Sequence, residues 1–294
     1  MHKLNKNSCI SSETTREDIN NKQIGNEQKW AVGLIDGDGH IGIEWSNKEQ
    51  TKWVPVLKVT LHRYNSRAIY RLKKVLGIGS VNYSKTYITY RVRSKKLWRS
   101  VLIPLFDQFN LRSMKYAAVT VVKEALHRAM LNARFVKDPQ QIKQLQQSLD
   151  RKTDSISLSL SLSLSPIWYD GTSLKTVLDL SWLAGFIEAE GSFYILSSAQ
   201  HGFAIGQAYD RHIIHAIHSV FNIKSALKNK NNYLMLDTKN AASLYLIAEA
   251  VNGRFLGIKS FEFSLWLRTL RKKKTFQTLK AKSIMASIRK RCEK

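Results

Sequence analysis

Cysteine is nearly absent from this chain of 294 residues: only Cys9 and Cys292 occur, one towards each end. Two thiols so placed build neither a disulfide framework nor a cysteine-based zinc site, and they fit a reducing compartment. No apolar run reaches the roughly 18–20 residues that a membrane span needs. The first residues carry Glu13, Glu17 and Asp18 and no apolar stretch. That speaks against a secretory signal and against a mitochondrial presequence, which avoids acids, so the chain is expected to act where it is made. Acids are scarce throughout, 22 Asp+Glu against 47 Lys+Arg, for a formal charge of +25. Self-repulsion on that scale opposes compaction unless a polyanion offsets it, and nucleic acid is the leading candidate. A membrane surface fits less well, because the basic residues are spread along the chain and not gathered on one amphipathic helix. Material for a core is present: 44% of residues are hydrophobic and 10% aromatic, which excludes wholesale disorder.

Composition divides the chain. Residues 1–26 are polar and aperiodic and read as a mobile tail. Residues 138–173 read as a linker, with a Gln-rich stretch at 140–147 and then a Ser-Leu repeat at 155–165, bounded by Asp154 and Pro166. The strict alternation of that repeat would also suit a half-buried strand but reads more easily as low-complexity chain. Residues 271–294 form a basic tail, expected as a short helix lying on phosphates or as solvated chain.

The two segments between, 27–137 and 174–270, repeat one another. Gly-Leu-Ile-Asp-Gly-Asp-Gly at 33–39 answers Gly-Phe-Ile-Glu-Ala-Glu-Gly at 185–191. Asn65 precedes Ile69, Leu72, Val75 and Leu76 at helical spacing, as Asp210 precedes Ile213, Ile214, Ile217 and Phe221. Asn65 and Asp210 read as N-caps, and Gly77 and Asn222 as left-handed stops. Ser94 and Thr238 read as caps of a further helix, and Lys115 and Lys259 stand seven residues before Val122 and Trp266. Strand-like runs fall at 41–45, 53–62, 87–93, 193–196, 203–209 and 233–236. Each half therefore reads as helix, two strands, helix, two strands, helix: an α+β domain, duplicated.

The repeated motif is helix-like up to Asp36 and Glu188, with small residues (Ala31, Gly33; Ala184, Gly185) among large apolar ones. Glycine inside a helix costs about 1 kcal/mol relative to alanine. That cost makes sense if two helices touch backbone to backbone there. Each helix then ends in two acids, Asp36 and Asp38 or Glu188 and Glu190, where the helix dipole already disfavours negative charge. Side-by-side helices would bring one carboxylate from each half together. Two such charges about 5 Å apart repel by roughly 3 kcal/mol at an effective dielectric of 20. A divalent cation reverses that sign, and hard oxygen ligands select Mg2+ or Mn2+. Such ions activate water and stabilise the leaving oxygen of a phosphodiester.

In these two segments the sequence resembles the LAGLIDADG homing endonucleases, in the form with two motifs on one chain. The resemblance implies two pseudo-symmetric αββαββα domains forming a DNA-binding saddle, with the motif helices as interface and antiparallel sheets along the major groove. It implies that Asp38 and Glu190 are catalytic metal ligands, with the carbonyls of Gly37 and Ala189 as further ligands. Asp36 and Glu188 then serve capping or packing, while Lys115 and Lys259 are positional matches to assisting basic residues. The implied partner is double-stranded DNA with a long, asymmetric, partly degenerate target, cut by a monomer to leave short 3′ overhangs. The implied origin is an intron of a mitochondrion or chloroplast, where the protein would be made. An intron RNA-splicing maturase on the same fold, with the host intron RNA as partner, is the alternative; two intact acids favour the nuclease.

Strand parity supplies DNA-contact candidates. Tyr87, Thr89, Arg91 and Arg93 share one face of their strand, Lys58, Thr60 and His62 share the face of theirs opposite Leu57, Val59 and Leu61, and Lys224, Lys228 and Lys230 form a looser set in the second half. Two other signals are set aside. Gly-Asp-Gly-His-Ile-Gly at 37–42 fits a dinucleotide fingerprint but follows a helix and opens a strand, the reverse of what that motif needs. His212, His215 and His218 step round the helix instead of converging, and no cysteine is at hand to complete a zinc site.

Overall fold

Two four-stranded antiparallel sheets, one per half, are joined through a pair of crossed helices. The computed structural model describes residues 12–49, 52–131, 178–230, 233–272 and 274–291, with scattered positions between 140 and 147. Cys9, Cys292 and the Ser-Leu stretch of the linker lie outside the described residues.

The first half runs α1 (Ser12–Asp38), β1 (Gly39–Trp45), β2 (Trp53–His62), α2 (Ser66–Leu76), β3 (Ser80–Tyr83) and β4 (Tyr87–Val92). A helical stretch follows in pieces, α3 (Lys95–Leu97), a π turn (Trp98–Leu102) and α4 (Ile103–Gln108), before α5 (Lys115–Leu131). The widening fits Pro104, which has no N–H to continue an α-helical ladder. The second half repeats the plan with α6 (Leu180–Glu190), β5 (Ser192–Ile195), β6 (His201–Gln207), α7 (Arg211–Val220), β7 (Lys228–Lys230), β8 (Tyr233–Thr238), α8 (Ala241–Val251) and α9 (Lys259–Lys272). A last helix, α10 (Thr275–Arg291), has no counterpart among the described residues of the first half.

Strand orders are β1-β2-β4-β3 and β5-β6-β8-β7, every pair antiparallel. The period-2 alternation does what it should. Leu57, Val59, Leu61, Ile88, Tyr90 and Val92 are buried under the helices, and the residues between them turn to the other face. The edge strands β3 and β7 have mostly exposed residues and give no such alternation.

Four expectations change. Residues 12–26, read within a mobile tail, are helical as the start of α1; Ile19 and Ile24 are exposed there, so no packed face imposed a visible period. Residues 275–291, expected as a short helix lying on phosphates or as solvated chain, form the longer helix α10, which packs on β5 and α9 and buries Ala281 and Met285. Its Arg289 donates to both carboxylate oxygens of buried Glu262, at 2.8 and 3.0 Å. Thr238 ends β8, and the cap of α8 is Asn240, whose Oδ1 accepts from the Ser243 backbone N–H at 3.1 Å. Ser94 does cap its helix, accepting from Leu97 N–H. Asn65 and Asp210 sit at N-cap positions but neither side chain caps its own helix.

Candidate active site and nucleic-acid interface

The C-terminal part of α1 and α6 make the most extensive helix contact among the described residues, and glycines set its closeness. A Cβ on Gly33 would stand 2.0 Å from the carbonyl oxygen of Trp182, and one on Gly185 2.0 Å from that of Trp30. No side chain fits at that distance, so the backbones touch where the sequence suggested. The same two tryptophans also reach across. Trp30 Nε1 donates to Glu188 Oε2 at 3.0 Å, and Trp182 Nε1 to Asp36 Oδ2 at 2.8 Å.

Asp36 and Glu188 are therefore buried acids with structural work. Asp36 also accepts from the backbone N–H groups of Arg112 and Ser113 and from the Ser113 hydroxyl. Glu188 accepts from the N–H groups of Leu256 and Gly257 at 3.1 Å each. Burial raises both carboxyl pKa values in spite of these bonds. Each acid fixes the loop that leads into α5 or α9, and those helices open on Lys115 and Lys259.

Asp38 and Glu190, the final residues of α1 and α6, meet at the end of the interface. Burial first, then the charge of Glu190, pushes the Asp38 carboxyl up to about 6, with Lys259 and Lys115 opposing. Burial likewise raises Glu190, offset by a hydrogen bond with the Gln207 side chain and by both lysines. Lys115 Nζ donates to the carbonyls of Asp36 and Gly37, the latter at 2.9 Å. Lys259, buried, donates to the carbonyls of Ile187, Glu188 and Gly191. Lys115 thus satisfies carbonyls that a helix end leaves free, while one of those bound by Lys259, that of Ile187, also accepts the Gly191 N–H. Burial lowers the pKa of Lys259. Ala189 sits against Gly37, where an added Cβ would lie 2.3 Å from the Ala189 Cβ.

The donor set fits a hard divalent cation: one carboxylate from each motif helix, with the charge of Glu190 helping to raise Asp38 and peptide carbonyls alongside. Among the described residues, no group of three or more His, Cys, Asp and Glu could hold a metal ion unaided. Carbonyls, water and phosphate would complete such a shell, which is the habit of Mg2+. The Gly37 oxygen keeps a second lone pair beside its bond to Lys115.

The first-half strand candidates come together on one face of the sheet. Lys58 pairs with Arg91, Thr60 with Thr89 and His62 with Tyr87 across β2 and β4. The Thr60 and Thr89 hydroxyls are 3.1 Å apart and hydrogen-bonded. Arg93, just past β4, lies 3.7 Å from Glu44. The second-half lysines are more scattered: Lys224 is exposed in the loop before β7, and Lys228 and Lys230 are exposed on that edge strand. Lys228 Nζ pairs with Asp237 Oδ2 at 3.0 Å, and Asp237 also accepts from the Tyr194 hydroxyl.

Sequence reading missed Gln207, Tyr194, Tyr233 and Met235 on this second face. Gln207 stands where His62 stands in the first half, at the end of the second strand, and that repeat could have found it. The rings of Tyr194 and Tyr233 occupy the space a Cβ would need on Gly202 and Gly206, a packing that parity does not reveal. Of the three histidines, His212 bonds to the Arg112 carbonyl and His218 to that of Ser225, while His215 is exposed.

The model of the family described as LAGLIDADG endonuclease matches residues 31–126. The "Probable intron-encoded endonuclease Cox1-I1b" of Schizosaccharomyces pombe is 34% identical over 280 residues, 89% of this chain and 68% of its own. The "Probable intron-encoded endonuclease aI3" of Dictyostelium citrinum is 25% identical over 244 residues, 80% of this chain and 92% of its own. Among solved structures, I-SmaMI bound to uncleaved DNA target in the presence of calcium ions superposes with a TM-score of 0.67 at 19% identity. That match covers 89% of this chain and 97% of the other, and supports the fold.

Proposed function

The chain belongs to the LAGLIDADG endonuclease family and is a DNA endonuclease, and on that premise we propose how its residues divide the work. Asp38 and Glu190 hold the reaction centre, each contributed by one half, with the Gly37 and Ala189 carbonyls beside them. The observation that carries this is their convergence at the ends of α1 and α6, where burial and the charge of Glu190 hold Asp38 up at about 6. A divalent ion such as Mg2+ or Mn2+, bound there, supplies an acidified water and a counter-charge for the leaving 3′ oxygen. Lys115 and Lys259 add positive charge from either side of the acids and orient them.

Lys58, Thr60, His62, Tyr87, Thr89, Arg91 and Arg93 carry the contacts to one arm of the target, with arginine suited to reading guanine. Lys224, Lys228 and Lys230 flank the other arm, where lysines serve the phosphates. The domain limits support a monomer: 27–137 and 174–270 supply both half-sites, joined by the linker at 138–173. The relative named for a Cox1 intron favours a mitochondrion over a chloroplast as its origin. Two facing acids are required for DNA cutting and not for RNA splicing, so the nuclease reading takes precedence over the maturase.

The test is a plasmid carrying the junction left when the intron is removed from the host gene. With Mg2+ the chain should cut both strands there, and with EDTA neither. A chain that leaves both the junction and a randomised-target library uncut in Mg2+ would overturn the assignment.

A further inference from the structure

We propose that Asp210 and Asn65 are positioning residues, each setting the active-site lysine of the opposite half. The inference rests on the roles given above to Lys115 and Lys259. Three successive backbone N–H groups lead into each lysine. In the first half, Arg112 and Ser113 donate to Asp36 of their own half, and Met114 donates to Asp210 Oδ1 at 2.7 Å, across the interface. In the second half, Leu256 and Gly257 donate to Glu188, and Ile258 donates to Asn65 Oδ1 at 3.4 Å, across the interface the other way. The pattern is reciprocal, and the third bond in each set touches the residue directly before the lysine.

Both acceptors are buried, Asn65 at 5% and Asp210 at 6% exposure. Both stand at helix N-cap positions, yet neither side chain caps its own helix. A buried cap residue that forgoes the local bond and reaches a distant peptide is placed by the distant partner. Fixing the N–H of Met114 or Ile258 fixes the backbone from which each lysine reaches the carbonyls at the end of its motif helix. The clamp on Lys115 is the stronger. Its acceptor is a carboxylate at shorter range, and His212 Nε2 adds a bond to the Arg112 carbonyl at 2.8 Å.

A double-strand cut has its two scissile phosphates on opposite strands, so the reciprocal placement of the two lysines would give each one nearer phosphate. Strand-resolved cleavage of doubly end-labelled target DNA therefore reads each lysine separately. Asp210→Ala should slow one strand roughly tenfold more than the other, a loss typical of a slightly misplaced group. Asn65→Ala should slow the opposite strand. The biased strand should match that of Lys115→Ala for the first variant and Lys259→Ala for the second, with DNA binding unchanged. Asp210→Asn keeps the acceptor, copies the residue the first half uses, and should restore balance. Equal slowing of both strands, or the same bias for both variants, would overturn the proposal. If the lysine variants are biased and these are not, only the proposal fails; if the lysine variants show no bias, the lysine assignment fails with it. Should Asp210→Ala not fold, the strand bias of Asn65→Ala decides the matter by the same outcomes.

Discussion

Trp182 of the second half donates its indole N–H to Asp36 of the first at 2.8 Å, and Trp30 returns the bond to Glu188 at 3.0 Å. The acid that receives each bond also holds the loop leading to its own half's lysine. Docking of the halves and shaping of the site are thus one set of contacts. Hydrogen bonds to charged groups contribute about 1.5–3 kcal/mol. Trp30→Phe or Trp182→Phe should therefore destabilise the fold by about 2 kcal/mol in urea unfolding. Trp98 is equally buried but its Nε1 has no partner, so Trp98→Phe should cost clearly less. Equal losses at all three positions would remove the special role given to the crossed bonds.

Gly33→Ala and Gly185→Ala each place a methyl 2.0 Å from a backbone oxygen that cannot yield without parting the helices. Overpacking typically costs 1–3 kcal/mol, and about 3 kcal/mol or more is expected at a backbone contact. Gly25→Ala, in the same helix with open space around it, should instead gain up to about 1 kcal/mol. Thermal denaturation of the three variants gives the comparison, and a harmless Gly33→Ala would contradict the close approach.

Asp38→Asn or Glu190→Gln should abolish cleavage while leaving binding to target DNA largely intact. Paired gel-shift and cleavage assays separate the two effects. A variant cutting at the wild-type rate would remove that acid from the reaction centre.

The Asp38 carboxyl also marks the pH response. Its folded value of about 6 lies above the ordinary 3.8. The folded state therefore takes up the proton first, and stability contributed by this group rises as pH falls from 7 towards 4 and is lost as pH climbs through 6. In EDTA, the chain should gain stability between pH 7 and pH 5, and Asp38→Asn should flatten that gain. Parallel urea-midpoint profiles for the two proteins would refute it.

DNA affinity should fall steeply with added salt, because several phosphates are neutralised by lysine and arginine and their counterions return to solution. A slope near zero in a log–log titration would be incompatible with the basic sheet faces described above.

Much of this was legible in the chain because the signals were local and repeated. Gly33 and Gly185 announced a backbone contact, since each costs helix stability for nothing unless another helix needs the room. Strand 53–62 was legible because it is a continuous β-prone run whose second half, Leu57 to His62, alternates strictly between buried and half-buried. Asn65 and Asp210 were misread for an instructive reason: residue type and position both said cap, while the actual acceptor role depends on a peptide 193 residues away in one case and 96 in the other. Helix α10 was legible only as one of two options, short helix or solvated chain, because its buried positions, Thr278, Ala281 and Met285, include little that is strongly apolar. Gln207 was hidden because nothing in its own strand distinguishes it from a surface glutamine.

The crossed fit of Gly33 under Trp182 and Gly185 under Trp30 bears on modularity. A half transplanted into a chimera would carry its own carboxylate and lysine but leave behind the glycine notch, the indole donor and the opposing acceptor that complete them. Target specificity could be exchanged by moving sheet faces, whereas exchange of whole halves would succeed only between proteins sharing both sides of this lock. The halves are heritable as a pair.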